Sequence, residues 1–270
     1  MNNNLSIRVI TALLFLPVFY LVAWKLPPAY FTTLVIAAAA VGQYEFYRMA
    51  RARGFHPNAA LGTVLGALVI IGFYQQGATQ GPVMGLLLSA VVILILIARL
   101  FSPRPVEGAI EDIASTLLGI FYVALLFAFQ VGIRTGQDGK QWLVFLYFVI
   151  WASDIGAYAI GIPFGKHRLY EKVSPKKSIE GLIGALAASI GMAALCRMWF
   201  MPPVGTGEAI VLGFALAVAG TIGDLAESLL KRAAGVKDSG GIIPGHGGIL
   251  DRMDSMLFAA PVLYFYLSVR

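Results

Sequence analysis

The chain has 270 residues, of which 59% are hydrophobic and only 13% charged, with a net charge of +6. A soluble domain carries roughly 25% charged residues, so this composition excludes an ordinary water-soluble fold and makes lipid the main solvent. In a membrane protein the basic excess reflects cytoplasmic loops rather than a nucleic-acid partner, and no nucleic acid is expected.

The expected fold is all-α: a polytopic helical protein with about nine transmembrane helices, at 7–24, 29–48, 59–75, 81–100, 112–133, 141–163, 179–201, 208–231 and 250–269. The first run has one preceding cation, Arg8, and no small-residue cleavage site. It reads as a retained helix rather than a removable signal. Pro27-Pro28, Gly54 to Asn58, Gln75 to Pro82 and Ser102-Pro103-Arg104-Pro105 punctuate the first half. Glu45, near the end of the second span, is expected to pair with Arg48 or Arg51. Gly62 and Gly66 allow close helix packing in the short third span. The single cysteine, Cys196, lies in an apolar run and reads as a small buried residue, with no disulfide or cysteine zinc site possible in one chain.

Organisation divides at about residue 135. Residues 1–135 form a helical scaffold with a possible dimerisation role, and 136–270 a catalytic membrane region with two long basic loops, 164–178 and 232–249. With nine spans most Lys and Arg fall on the side of those loops. That places the N-terminus and both loops in the cytoplasm and the C-terminus outside. Loops of such length in a compact bundle tend to be functional.

In the second half, Asp154 sits inside the sixth span, and an intramembrane acid is a functional candidate. The following loop holds Lys166, His167 and Arg168, then Ser174, Lys176 and Lys177. These cations suit a triphosphate or anionic headgroups. Ser178, better placed than Ser174, caps the seventh helix. In the eighth span Asp224, Glu227, Ser228 and Lys231 follow at i, i+3, i+4 and i+7, which is one helix face. A polar stripe at that depth points to a water-filled cleft. Asp251 and Asp254 open the ninth span on one face. Carboxylates at similar depth repel one another, and a hard divalent cation (Mg²⁺, Mn²⁺ or Ca²⁺) removes the conflict. Between the two helices, Lys237, Asp238 and a glycine-dense run to Gly247 and Gly248 suit close backbone approach to an anion. Acids, cations and glycine backbone together match phosphoryl or nucleotidyl transfer. Plainer readings stand beside this: Asp224 with Lys231 as a structural ion pair, Glu227 with Arg232 or Lys231, His246 as a turn residue.

The stretch Ser228-Leu-Leu-Lys-Arg-x4-Lys237-Asp238-Ser239-Gly240-x2-Ile243-Pro244-Gly245-His246-Gly247-Gly248-Ile249-Leu250-Asp251-Arg252-Met253-Asp254 closely resembles the signature of phosphatidate cytidylyltransferases, the CDP-diacylglycerol synthases. Gly-x-Pro-Phe-Gly-Lys166 and Ser174-Pro-Lys-Lys-Ser-x-Glu-Gly181 are similar to that family too, while the first half has no diagnostic motif. The resemblance implies that CTP and phosphatidate give CDP-diacylglycerol and pyrophosphate, with Mg²⁺ required and room for a second cation, monovalent or divalent. It also implies a helical homodimer of the bacterial inner membrane type, among membrane lipids. On this reading Asp224, Asp251 and Asp254 hold metal, and Lys231, Ser228 and His246 join Asp224 and Asp251 in catalysis. Lys237, Asp238, Arg252, Gly247, Gly248, Ser174, Lys176, Lys177 and Asp154 then bind substrate. The rivals are a CTP-dependent polyprenol or phytol kinase, which would release CDP, and a secondary transporter with intramembrane carboxylates.

Overall fold

The computed structural model describes residues 17–76, 82–201, 204–241 and 247–270. Most of the first expected span (residues 7–16) and His246 lie outside the described residues. After a short π-helical turn at Leu21–Lys25, the chain forms helices α1 (Pro28–Ala52), α2 (Ala59–Gln76), α3 (Pro82–Leu100), α4 (Ala109–Thr135) and α5 (Gly139–Phe164). Strands β1 (Arg168–Tyr170) and β2 (Ser174–Ser178) follow, then α6 (Ile179–Trp199), α7 (Thr206–Ala233) and α8 (Leu250–Val269).

The helical membrane architecture is as expected, with one short two-stranded sheet added to it. β1 and β2 pair antiparallel, Tyr170 opposite Ser174 and Arg168 opposite Ser178, with an irregularity between. The hairpin replaces part of the basic loop because Ser174 to Ser178 runs extended into the cap of α6, where Ser178 Oγ accepts from Gly181 N at 3.1 Å. Among the described residues, five helices are long and apolar enough to cross a membrane: α4 to α7, and α3 over Val83–Leu100. The count of nine is not reached by this measure. α2 is apolar but short. α1 carries Glu45, Arg48 and Arg51, and α8 opens with Asp251, Arg252 and Asp254.

Small residues set how closely the helices approach. Tyr47 of α1 lies where a Cβ on Gly62 or Gly119 would stand, and its hydroxyl donates to Thr116 O at 3.1 Å. Gln43 donates to Gly62 O at 3.0 Å. The expected close packing at Gly62 and Gly66 is therefore present, against α1 and α4. α4 has a π-helical segment at Gly119–Leu125, beside this contact. α5 and α6 pack through Gly156 and Gly184, each of which would put a Cβ on the other's carbonyl. Cys196 is buried and free.

Side-chain contacts tie the element ends into two groups. At one, Arg104 reaches His56 O, Arg48 reaches Ser239 O, and Arg232 contacts Val173 O. At the other, Arg134 binds Leu26 O, and Glu208 meets Tyr266 and Arg270. The sequence-predicted polar residues gather at the first.

Candidate active site

α7 turns Gly220, Gly223, Glu227, Ser228 and Lys231 inward, at helical spacing. A Cβ on Gly223 would run into Asp254 O, and one on Gly220 would stand 3.4 Å from Ser255 Cβ. These glycines let α7 and α8 approach until their polar first turns and last turns face one another.

Lys231 is the centre of the arrangement. Its ammonium lies 2.7 Å from Asp251 Oδ1 and 3.1 Å from Glu227 Oε2. All three side chains are largely or wholly buried. Buried charges persist only when paired and hydrogen-bonded. Asp251 meets that condition on both oxygens: Oδ2 accepts from Ser239 N at 3.0 Å, Ser239 Oγ at 2.9 Å and Gly248 N at 2.9 Å.

Glu45 of α1 completes this knot from the first half of the chain. It is fully buried, and its carboxylate accepts from Ile249 N at 3.0 Å, Leu250 N at 3.1 Å and Ser239 Oγ at 3.1 Å. The expected pairing of Glu45 with Arg48 or Arg51 is wrong. Glu45 caps the start of α8, where first-turn N–H groups lack helical partners and a carboxylate is favoured. Arg48 instead donates to Ser239 O at 2.9 Å. A hydroxyl has one proton, so Ser239 shares it between Glu45 and Asp251.

This packing also explains some of the glycines. A Cβ on Gly240 or Gly248 would collide with the Glu45 carboxylate, and on Gly248 with Ser239 Oγ as well. Gly247 has φ +83°, left-handed backbone that favours glycine. The glycine run was expected to cradle an anion. Gly240 and Gly248 are needed so that the chain can close over Glu45, while Gly248 N is already committed to Asp251.

Asp224 departs from the predicted stripe. Its Oδ2 lies 2.6 Å from Lys177 Nζ, delivered by β2, and Ser228 Oγ is 3.4 Å from its Oδ1. The plainer reading of Asp224 with Lys231 is thus replaced by a contact with the hairpin. Asp154 of α5 is accessible and within electrostatic range of Asp224, Asp254, Lys177 and Arg252. Lys176, Lys237, Asp238 and Arg252 are exposed and make no side-chain hydrogen bond or ion pair among the described residues. Ser174 is occupied in the hairpin register.

The donor set fits a hard cation in type. Glu227 and Asp254 lie within hydrogen-bonding reach of each other, and Glu227 Oε1 is buried with no donor. An acid oxygen facing another acid without a proton donor suits a cation with oxygen ligands. The expected trio Asp224, Asp251 and Asp254 is not gathered at ligand spacing: among the described residues no three His, Cys, Asp or Glu stand so. Lys177 and Lys231 occupy Asp224 and Asp251 instead. Sequence reasoning missed Glu45, Arg48 and Ser239, and left Glu227 off its ligand set. Only the depth of Glu45 in an apolar helix signalled a role.

The sequence pattern of the cytidylyltransferase family matches residues 6–270. A phosphatidate cytidylyltransferase of Bacillus subtilis is 32% identical over 100% of this chain and 98% of its own length. One from Synechocystis sp. is 32% identical over 88% of each. One from Staphylococcus aureus is 41% identical over 58% of this chain and 59% of its own.

Proposed function

The chain belongs to the cytidylyltransferase family, and from that premise we propose that its cleft transfers the cytidylyl group of CTP to phosphatidate, giving CDP-diacylglycerol and pyrophosphate. The observation that carries this reading is the buried Lys231–Asp251–Ser239 knot, accompanied by the exposed cations Lys176, Lys237 and Arg252, which make no side-chain hydrogen bond or ion pair among the described residues.

A phosphate oxygen of phosphatidate attacks the α-phosphorus of CTP. A phosphorus–oxygen bond forms there, the bond from the α-phosphorus to the α–β bridging oxygen breaks, and that oxygen leaves with pyrophosphate. A phosphate monoester, with a second pKa of about 6, is already largely dianionic near neutral pH. No strong base is needed; the barrier comes from one anion approaching another. Lys176, Lys237 and Arg252 supply positive charge from exposed positions. Lys231, held between Glu227 and Asp251, is fixed before substrate arrives, so it needs no reorganisation during reaction. Ser228 and Lys177 flank Asp224 at the same mouth. His246, Gly247 and Asp238 are the further loop residues we assign to the site from the sequence motif.

Mg²⁺, with a second cation where one is used, would when bound offset charge on the triphosphate. Asp224, Asp251 and Asp254 are its proposed ligands, and the donorless oxygen of Glu227 adds a fourth candidate. Asp251 would hold the ion beside Lys231, whose ammonium lies 2.7 Å from its Oδ1.

We place nine spans in a bacterial inner membrane: the five apolar helices, α1, α2, α8 and the N-terminal run. The site end faces the cytoplasm, where CTP is, and the C-terminus lies outside. Residues 1–135 serve as scaffold and 136–270 as the catalytic region, in a homodimer among membrane lipids. The reading is favoured over a lipid-alcohol kinase because the match spans phosphatidate cytidylyltransferases end to end.

The test is pyrophosphate release from CTP by the purified protein, with and without phosphatidate and Mg²⁺, alongside Asp251→Asn. Release that needs lipid and metal, and falls about 10²–10³-fold in a folded variant, is the expected result, since charge stabilisation of this kind is worth about that much per group. CDP in place of pyrophosphate would transfer the site to the kinase reading.

A further inference from the structure

A charged cavity lies outside the proposed chemistry. It has a volume of about 440 Å³ and sits where the last residues of α1 and α3 meet the first residues of α2 and α4. Arg51, Arg99, Arg104 and His56 line it, with Asp112 as the one acid among its lining residues. Three guanidinium groups therefore face a single carboxylate, and that carboxylate is already divided. Asp112 takes Arg99 Nε at 3.3 Å, Arg104 Nη1 at 3.8 Å and the backbone N–H of His56 at 2.7 Å.

The arginines differ in freedom. Arg99 is fixed: besides Asp112 it donates to Pro105 O at 2.5 Å, and its side chain is only 12% exposed. Arg104 spends Nη1 on His56 O at 2.6 Å and keeps its other nitrogens uncommitted. The Arg51 side chain makes no hydrogen bond or ion pair among the described residues. The cavity thus holds three guanidinium groups against the one carboxylate of Asp112, a surplus of preset positive charge, and guanidinium matches phosphate oxygens in geometry.

Its surroundings identify the environment. Phe101, Val106 and Ile110, on the segment bordering the cavity, are 80%, 83% and 80% exposed. Large apolar side chains so placed are costly in water, and beside arginines they match the bilayer interface, where apolar groups dip inward and cations meet headgroups. α3, which forms one wall through Ile95 and Ala98, has only 17% of its apolar span buried in the protein, so its remaining surface lies against lipid.

We propose that this cavity binds the phosphate-bearing headgroup of an anionic membrane lipid, with Arg51 and Arg104 as the free cations, Arg99 preset by Asp112, and the acyl chains along α3. The inference stands on this cavity and is independent of cytidylyl transfer.

The test is native mass spectrometry of the full-length protein in detergent. The probes are phosphatidylglycerol and phosphatidylcholine of identical chains, with inorganic phosphate as competitor. Wild type should retain phosphatidylglycerol in preference. Arg51→Gln should lower that retention about fivefold, the scale of one basic residue at an anionic surface. The Arg51 side chain makes no such bond, so this variant leaves the fold intact; Arg104→Gln should act in the same direction. Equal retention of the two lipids, or unchanged retention in Arg51→Gln, overturns the site. Displacement of phosphatidylglycerol by millimolar inorganic phosphate, lost in Arg51→Gln, overturns the lipid assignment in favour of a free anion.

Discussion

At one end of the helical bundle Glu208 receives Gly205 N, the Tyr266 hydroxyl and Arg270, while Arg197 binds Val204 O and Arg134 binds Leu26 O. At the other end Glu227 keeps one buried oxygen without a donor, and Lys176, Lys237 and Arg252 stand without partners among the described residues. The first set fastens helix ends to their neighbours, with Arg134 Nε left buried without an acceptor and no carboxylate left short of a donor in the set. In the second, charge exceeds what the protein satisfies by itself. Leaving buried polar groups unmet costs about 1–3 kcal/mol each. A surplus of this kind, next to an otherwise complete knot of hydrogen bonds, is what a site awaiting charged ligands requires.

Substitutions at the two ends sharpen this contrast. The largest effect in the comparison is expected from Glu45→Ala, which strands the N–H groups of Ile249 and Leu250 and leaves Ser239 Oγ with Asp251 alone. Stability in detergent should fall by on the order of 3 kcal/mol, and turnover should fall by more than about 100-fold with phosphatidate present. Thermal unfolding and pyrophosphate release check both. Turnover near wild type would mean that the start of α8 holds its shape without α1. Next comes Gly248→Ala, whose Cβ must displace Ser239 Oγ and the Glu45 carboxylate. Overpacking of this kind costs about 1–3 kcal/mol; turnover should drop about tenfold, while Gly235→Ala, strained by φ +74° but with open space around its Cβ, should spare chemistry. The smallest effect belongs to the opposite end. Arg270→Ala breaks a partly exposed pair with Glu208 and should shift stability by under about 1 kcal/mol, with turnover unchanged. A large loss of turnover there would break the comparison, because the two ends would then be coupled through the full length of α8.

Much of the working end was legible from spacing. Glu227, Ser228 and Lys231 share the buried face of α7 that their i, i+1 and i+4 positions dictate, and the expected Ser178 cap on α6 is present. Asp251 was correctly placed at the start of α8, but its partners were not readable beforehand. The two-stranded hairpin was missed because its residues are charged and short-range signals for it are weak, yet it is what carries Lys177 to Asp224.

The sequence by itself determined that this chain lives in lipid, where its helices break, and which residues could do phosphate chemistry, since hydropathy and helical periodicity are local properties. The long, ordered motif from Ser228 to Asp254 likewise pointed to the family. Only the tertiary structure decided who meets whom. Glu45 reaches Ser239 across 194 positions, and no periodicity encodes a contact at that distance. The reason is physical: burying a carboxylate in a helix demands donors, and among the described residues those that meet Glu45 are the free N–H groups at the start of α8 and the Ser239 hydroxyl beside them.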